Sequence, residues 1–272
     1  MRISTATSIL VDYRLPDAID AVIALGFDGV DVWCGRPHLF GRDYPAAEIE
    51  GIGKKIAESG LETVAVMPAF FRYPFSLSSP VETIRESSVA YMRDCIDNAK
   101  SIGAKNTLVV PTKSLHGQTE AEARKTFLYS MEAVCEYARP RGVTLGIEVL
   151  QPRLSDFCRR TEQAVDMIRD LGSDNLGVVL DTGHLNLSGE SLARAMDCAG
   201  ERLTQIHIND NNAKEQQNAV PGEGNVDFLA MADLLRKNKY TGFLSLELGW
   251  QYSADPEPVL IKALAVAREI FG

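Results

Sequence analysis

The sequence predicts a single-domain (β/α)8 TIM barrel over residues 1–272, and three observations carry that reading. Short apolar runs alternate with longer amphipathic ones from one end to the other. A glycine turn stands before most of the apolar runs. No Gly-x-Gly-x-x-Gly opens the first unit, as a dinucleotide-binding open sheet would need. Eight strand–helix units of about 30 residues suit a barrel better than a doubly wound sheet. No Pro- or Ser-rich linker divides the chain.

The elements follow in order. A strand is expected at 3–7 and a helix at 16–25; after Leu25-Gly26-Phe27 comes a second strand at 29–33. A helix at 45–59 closes on Ser59-Gly60-Leu61 and leads into a strand at 63–67. The helical pattern at 81–102 ends at Ile102-Gly103-Ala104 before a strand at 107–110. The next, at 118–139, is followed by Arg141-Gly142-Val143 and a strand at 144–148. Helices at 161–171, 189–199 and 227–237 precede strands at 177–181, 205–208 and 244–247, and a helix at 257–270 completes the series. Glycine recurs at these junctions because it takes the left-handed conformation that closes a helix. The stretch 209–225 lacks apolar periodicity and reads as a functional loop.

Hydrophobic residues make up 45% of the chain and charged residues 24%, ordinary values for a soluble globular protein. The net charge of −9 argues against nucleic acid and anionic membrane as partners, because each phosphate neutralised needs a Lys or Arg. No apolar run approaches the roughly 20 residues of a membrane span. Asp12 and Arg14 come too early for the apolar core of a signal peptide. The five cysteines are widely spaced, odd in number and in no CxxC pair, so they read as reduced thiols of a cytoplasmic protein.

The later strands end on chemistry-bearing residues. The fifth, VTLGIEVL, delivers Glu148; the sixth, LGVVLDTGH, delivers Asp181 and then His184; the seventh, LTQIHINDN, carries His207 and then Asp210; the eighth, GFLSLELGW, ends on Glu247. Strand C-terminal ends converge on one mouth in such a barrel. Three carboxylates and an imidazole converging there repel one another unless a cation sits between them. Three oxygen donors and one nitrogen suit Mn²⁺ or Mg²⁺ best, with Co²⁺ or Zn²⁺ as alternatives. The bland reading of any one of these acids is a helix N-cap; four consecutive strands argue for one metal centre.

This ordered set, Glu148, Asp181-x-x-His184, His207-x-x-Asp210 and Glu247, with the loop PGEGNVDF at 221–228, resembles the xylose isomerase-like TIM barrel superfamily. Its sugar and sugar-phosphate isomerases, ketose 3-epimerases and inosose dehydratase-like enzymes share such a site. Its DNA-repair members need extra histidines after the third and fourth strands, where this chain has Met67 and Val110-Pro111. The resemblance implies a single divalent ion held by Glu148, Asp181, His207 and Glu247, and a small carbohydrate substrate. It implies proton abstraction beside a carbonyl to give an enediolate stabilised by the cation, with Glu148 and Glu247 as the acid–base pair. It also implies that His184 binds a substrate oxygen and that the chain forms a homodimer or homotetramer. A lyase or dehydratase using the same site is the alternative reaction, and a non-catalytic sugar-binding barrel the alternative class.

The ketose 3-epimerases of the superfamily carry a glutamate soon after the fifth-strand glutamate and an arginine soon after the seventh-strand histidine. Here Arg153 and Lys214 lie in those regions and are expected to meet a phosphate or carboxylate of the substrate. Trp33 and Trp250 are expected to wall the sugar's C–H face, and Glu223 to contact substrate or orient His207. Phe70-Phe71-Arg72-Tyr73, after the third strand, reads either as a lid or as an aromatic cluster covering the barrel rim without substrate contact.

Overall fold

Strands rich in Val, Ile and Leu form here because both of their faces are covered, one by helices and the other by the barrel interior. The computed structural model describes residues 1–41 and 43–272. Its strands are β1 (Arg2–Ala6), β2 (Gly29–Trp33), β3 (Glu62–Met67), β4 (Asn106–Val109), β5 (Thr144–Glu148), β6 (Leu176–Asp181), β7 (Leu203–Ile208) and β8 (Phe243–Leu246). They pair in parallel in chain order, and β1 pairs with β8 to close the barrel. The helices among the described residues are α1 (Leu15–Leu25), α2 (Ala46–Glu58), α3 (Glu82–Ser101), α4 (Glu120–Ala138), α5 (Thr161–Leu171), α6 (Thr182–Ser188), α7 (Leu192–Ala199), α8 (Phe228–Lys237) and α9 (Pro256–Phe271). None is long and apolar enough to cross a membrane.

Every expected strand and helix is present within one to three residues of its expected bounds. The exception is α6, which begins where β6 ends and was not expected as a separate helix. It forms because Asp181 caps it, its carboxylate accepting the His184 backbone N–H at 2.7 Å. The five cysteines are free thiols, four of them buried.

Two layers of packing hold the site. The larger core lies between strands and helices and includes Ile19, Met92, Phe127, Val178 and Leu264. The smaller one fills part of the barrel interior with Ala6, Trp33, Ala65, Met67, Leu108 and Val179. The rest of the interior is polar. Asp31, fully buried on β2, accepts hydrogen bonds from Ser4 and Ser245 at 2.8 and 2.7 Å and from Gln205 at 2.5 Å. The apolar cluster draws on β1, β2, β3, β4 and β6, and the polar cluster around Asp31 on β1, β2, β7 and β8.

The loop from β7 to α8 is built around Asp210. Its buried carboxylate accepts backbone N–H groups of Asn211, Gly222, Gly224 and Val226 at 2.8 to 3.1 Å. A side chain at position 224 would meet Asn211 O and Asp210 Oδ1 at 2.3 Å, so only glycine lets the chain close on this anchor. Asp210 and Ala219 also pair their backbones across the loop. Asp210→Ala would strand these N–H groups, each at a cost of about 1–3 kcal/mol where it stays out of reach of water. The expected result is a loss of at least about 3 kcal/mol in chemical denaturation, with new proteolytic cleavage within 209–227. Unchanged stability would contradict the anchoring role.

Candidate metal and substrate site

The register of the barrel delivers four ligating side chains to one place. Glu148 is the last residue of β5, and Asp181 is the last of β6 and lies opposite His207 of β7. Glu247 follows β8 directly, its N–H bonded to Ile208 O at 3.2 Å. One ligating atom from each of the four lies within 4.8 Å of all the others. Glu148, Asp181 and His207 are buried, and Glu247 is partly open to the mouth.

The donor set fits a divalent ion. Ligands of one ion at about 2.1–2.2 Å sit at most about 4.4 Å apart, so small side-chain movements close the cluster. His207 turns Nδ1 toward the carboxylates, 2.7 Å from Glu247 Oε2 and 3.6 Å from Glu148 Oε1. Asp181 is oriented on both oxygens: Oδ1 accepts His184 N, and Oδ2 accepts Asn209 Nδ2 at 2.6 Å. Asp181 is therefore both a helix cap and a member of the cluster. Gly183 keeps Asn209 close, since a Cβ there would meet Asn209 Oδ1 at 2.1 Å. Thr182 completes the link between β6 and β7, giving its hydroxyl to Asn209 O at 2.7 Å and accepting Asn209 N–H at 3.0 Å.

The electrostatics show the strain of this crowding. The Asp181 carboxyl is raised to about 6, by burial first and then by Glu247 and Glu148, against the opposing pull of His184 and His207. Burial alone would depress His207, but Glu148 and Glu247 hold it well above the ordinary imidazole range. Burial would raise Glu247, and the hydrogen bond from His207 brings it below its ordinary value. Without an ion the mouth relieves its negative charge with protons.

Above the cluster opens a cavity of about 430 Å³. Its floor includes Glu148, His184 and Glu247; Met67, Leu108, Val110 and Leu154 form an apolar wall. Trp33 and Trp250 both line it, edge to face with ring centroids 6.0 Å apart. His184 Nδ1 is buried and has no hydrogen-bond partner among the described residues. The segment 70–72 lies on the rim, with Phe71 exposed and Arg72 over the Trp250 ring at 4.9 Å.

Of the residues expected at the site, Glu148, Asp181, His207 and Glu247 come together in the cluster. His184, Trp33 and Trp250 line the cavity. Arg153, Lys214 and Glu223 do not. Arg153 and Lys214 are exposed loop residues outside the cavity lining, because the chain after β5 and β7 turns outward there. Glu223 faces away to pair with Lys262 at 2.5 Å and Tyr252 at 3.2 Å. Sequence reasoning missed Asp31, which an acid inside the apolar strand GVDVW could have signalled, and the cavity-lining amides of Gln216, Gln217 and Gln251.

The profile of one protein family, described as xylose isomerase-like TIM barrel, matches residues 19–270. The chain belongs to that family. Among its relatives, fructoselysine 3-epimerase of Shigella flexneri is 25% identical over 246 residues, covering 90% of this chain and 89% of that protein. D-psicose 3-epimerase of Agrobacterium fabrum is 26% identical, with 84% and 77% covered. In fold the chain is similar to the crystal structure of a 3-keto-D-glucoside 4-epimerase from E. coli, with a TM-score of 0.83, 20% identity and 99% of each chain covered.

Metal binding must compete with protons at this site. His207, held well above its ordinary range by Glu148 and Glu247, would have to give up a proton to bind an ion, and Asp181, raised to about 6, would have to do so in acid. Affinity should therefore rise with pH. Titration calorimetry with Mn²⁺ at pH 7.5, in buffers of different ionisation enthalpy, is expected to show about one proton released per ion. Affinity should fall by about tenfold per pH unit toward 6.5 and more steeply below. Affinity constant from pH 6 to 8 would contradict these charge states.

Proposed function

We propose that the protein is a divalent-metal-dependent epimerase or isomerase of a sugar or sugar derivative, working by proton transfer at a carbon beside a carbonyl. The observation that supports this most directly is the placement of two glutamates, Glu148 and Glu247, in one ligand cluster at the floor of a sugar-sized cavity. The relatives named as fructoselysine 3-epimerase and D-psicose 3-epimerase support the same reaction type.

A divalent ion held by Glu148, Asp181, His207 and Glu247 would polarise a substrate carbonyl and acidify the adjacent C–H. The chain supplies the rest. Glu148 and Glu247 stand three strands apart around the closed barrel, so they approach a substrate from different sides. One takes the proton from one face of the carbon and the other returns a proton to the opposite face, which inverts that centre. Asp181, with both oxygens engaged by N–H donors, keeps a fixed orientation and moves no proton. His184 offers its free Nδ1 to a substrate hydroxyl. Trp33, Trp250, Met67 and Leu108 cover the C–H face and thin out the water around the reacting carbon.

The test is deuterium incorporation. Ketoses, their phosphates and inososes are incubated with the protein and Mn²⁺ in D₂O and followed by NMR. Exchange at the carbon beside the carbonyl, with mass otherwise conserved, is the expected outcome; a new double bond would instead mark elimination. Glu247→Gln at saturating Mn²⁺ should lower exchange by about 10²–10⁴-fold. Wild-type rates in that variant would remove Glu247 from proton transfer.

A further inference from the structure

We infer that Arg72 forms an anion subsite at the mouth of the cavity, and that the substrate is a ketose derivative carrying a terminal carboxylate or phosphate. This rests on the proposed proton-transfer function and narrows its substrate class.

Among the described residues that line the cavity, Arg72 is the only lysine or arginine. Its guanidinium lies over the Trp250 ring, 4.9 Å from the centroid, and Trp250 in turn meets Trp33 edge to face. That contact leaves its N–H fork unspent, because no carboxylate among the described residues pairs with it. Many other arginines do have such a partner, as in Arg2–Glu62, Arg36–Asp43 and Arg141–Asp97. A planar fork held over an aromatic ring is the geometry that receives a carboxylate or phosphate on two N–H groups.

The neighbouring amides point the same way. Gln216 accepts from Gln151 with Oε1, and Gln217 accepts the Asn212 N–H with its own, leaving the NH₂ groups of both as donors. The opposite end of the cavity is acidic, and the whole chain carries −9. An anionic substrate would be repelled at that floor, so its charged end belongs at the rim and its carbonyl end at the glutamates.

The test uses three ketoses of one skeleton that differ only at C6: D-fructose, D-fructuronate and D-fructose 6-phosphate. Each is measured with the Mn²⁺-loaded wild-type protein and with Arg72→Gln, by calorimetric binding and by deuterium exchange. The expected result is tighter binding of at least one anionic ketose than of D-fructose, lost by about tenfold in Arg72→Gln while D-fructose is unchanged. Which of the two anions shows the effect decides between carboxylate and phosphate. No binding of either anion, no preference over D-fructose, or an equal loss for all three in Arg72→Gln would overturn the subsite; the last outcome would make the Arg72–Trp250 contact a latch on the cavity. Anion binding that depends on Arg72 without any exchange would instead remove the proton-transfer reading and leave the subsite standing.

Discussion

Three carboxylates and an imidazole held within 4.8 Å of one another are the constraint on which the rest of the mouth depends. Like charges this close, largely removed from water, repel by several kcal/mol unless an ion or protons compensate. The upward direction of Asp181 and His207 is what such crowding produces. The barrel can impose such crowding because each group arrives on its own strand, and closure of β1 on β8 prevents any one strand from backing away. The energy that holds the ligands together is therefore spread over the whole apolar core, and no single contact near the site carries it.

The division of the barrel interior follows from the same crowding. Under β3, β4 and β6 the interior is filled by Ala65, Met67, Leu108 and Val179, which pack without polar demands. Under β1, β2, β7 and β8 stands the Asp31 cluster, with Ser4, Gln205 and Ser245 as its donors. Gln205 sits two residues before His207 on the same face of β7, so a rigid hydrogen-bonded layer lies directly beneath the imidazole. An apolar layer would let that ring turn; a layer in which each side chain is bonded to two others resists it.

The fold and the cluster were legible because both are written in local patterns. Short apolar runs alternating with amphipathic ones, with glycine at the junctions, placed every strand, and an acid or histidine at four consecutive strand ends was enough to name Glu148, Asp181, His207 and Glu247. Direction of loops was not legible. Arg153, Lys214 and Glu223 lie close in sequence to strand ends, yet sequence distance does not say whether a loop residue faces the mouth or the solvent. Arg72 was passed over as part of an aromatic lid because its significance comes from Trp250, 178 positions away by their numbers and near only in space. Asp210 was quoted as part of a motif, but its work as acceptor for four backbone N–H groups needs the folded loop to be seen.

The two glutamates are unequal, and in the proposed reaction that inequality bears on how one site could serve both faces of a carbon. Glu148 is buried and stands 3.6 Å from His207; Glu247 is more open and hydrogen-bonded to it at 2.7 Å. A reversible inversion tolerates this, since whichever group receives the proton in one direction gives it up in the other. What must stay fixed is the sugar. Its orientation falls to the amphipathic walls, with tryptophan and aliphatic side chains on one side, amides on the other and a cation at the rim. Under the proposed reaction, the distance from that rim to the floor, more than the chemistry of either glutamate, would select which carbon of a substrate is inverted.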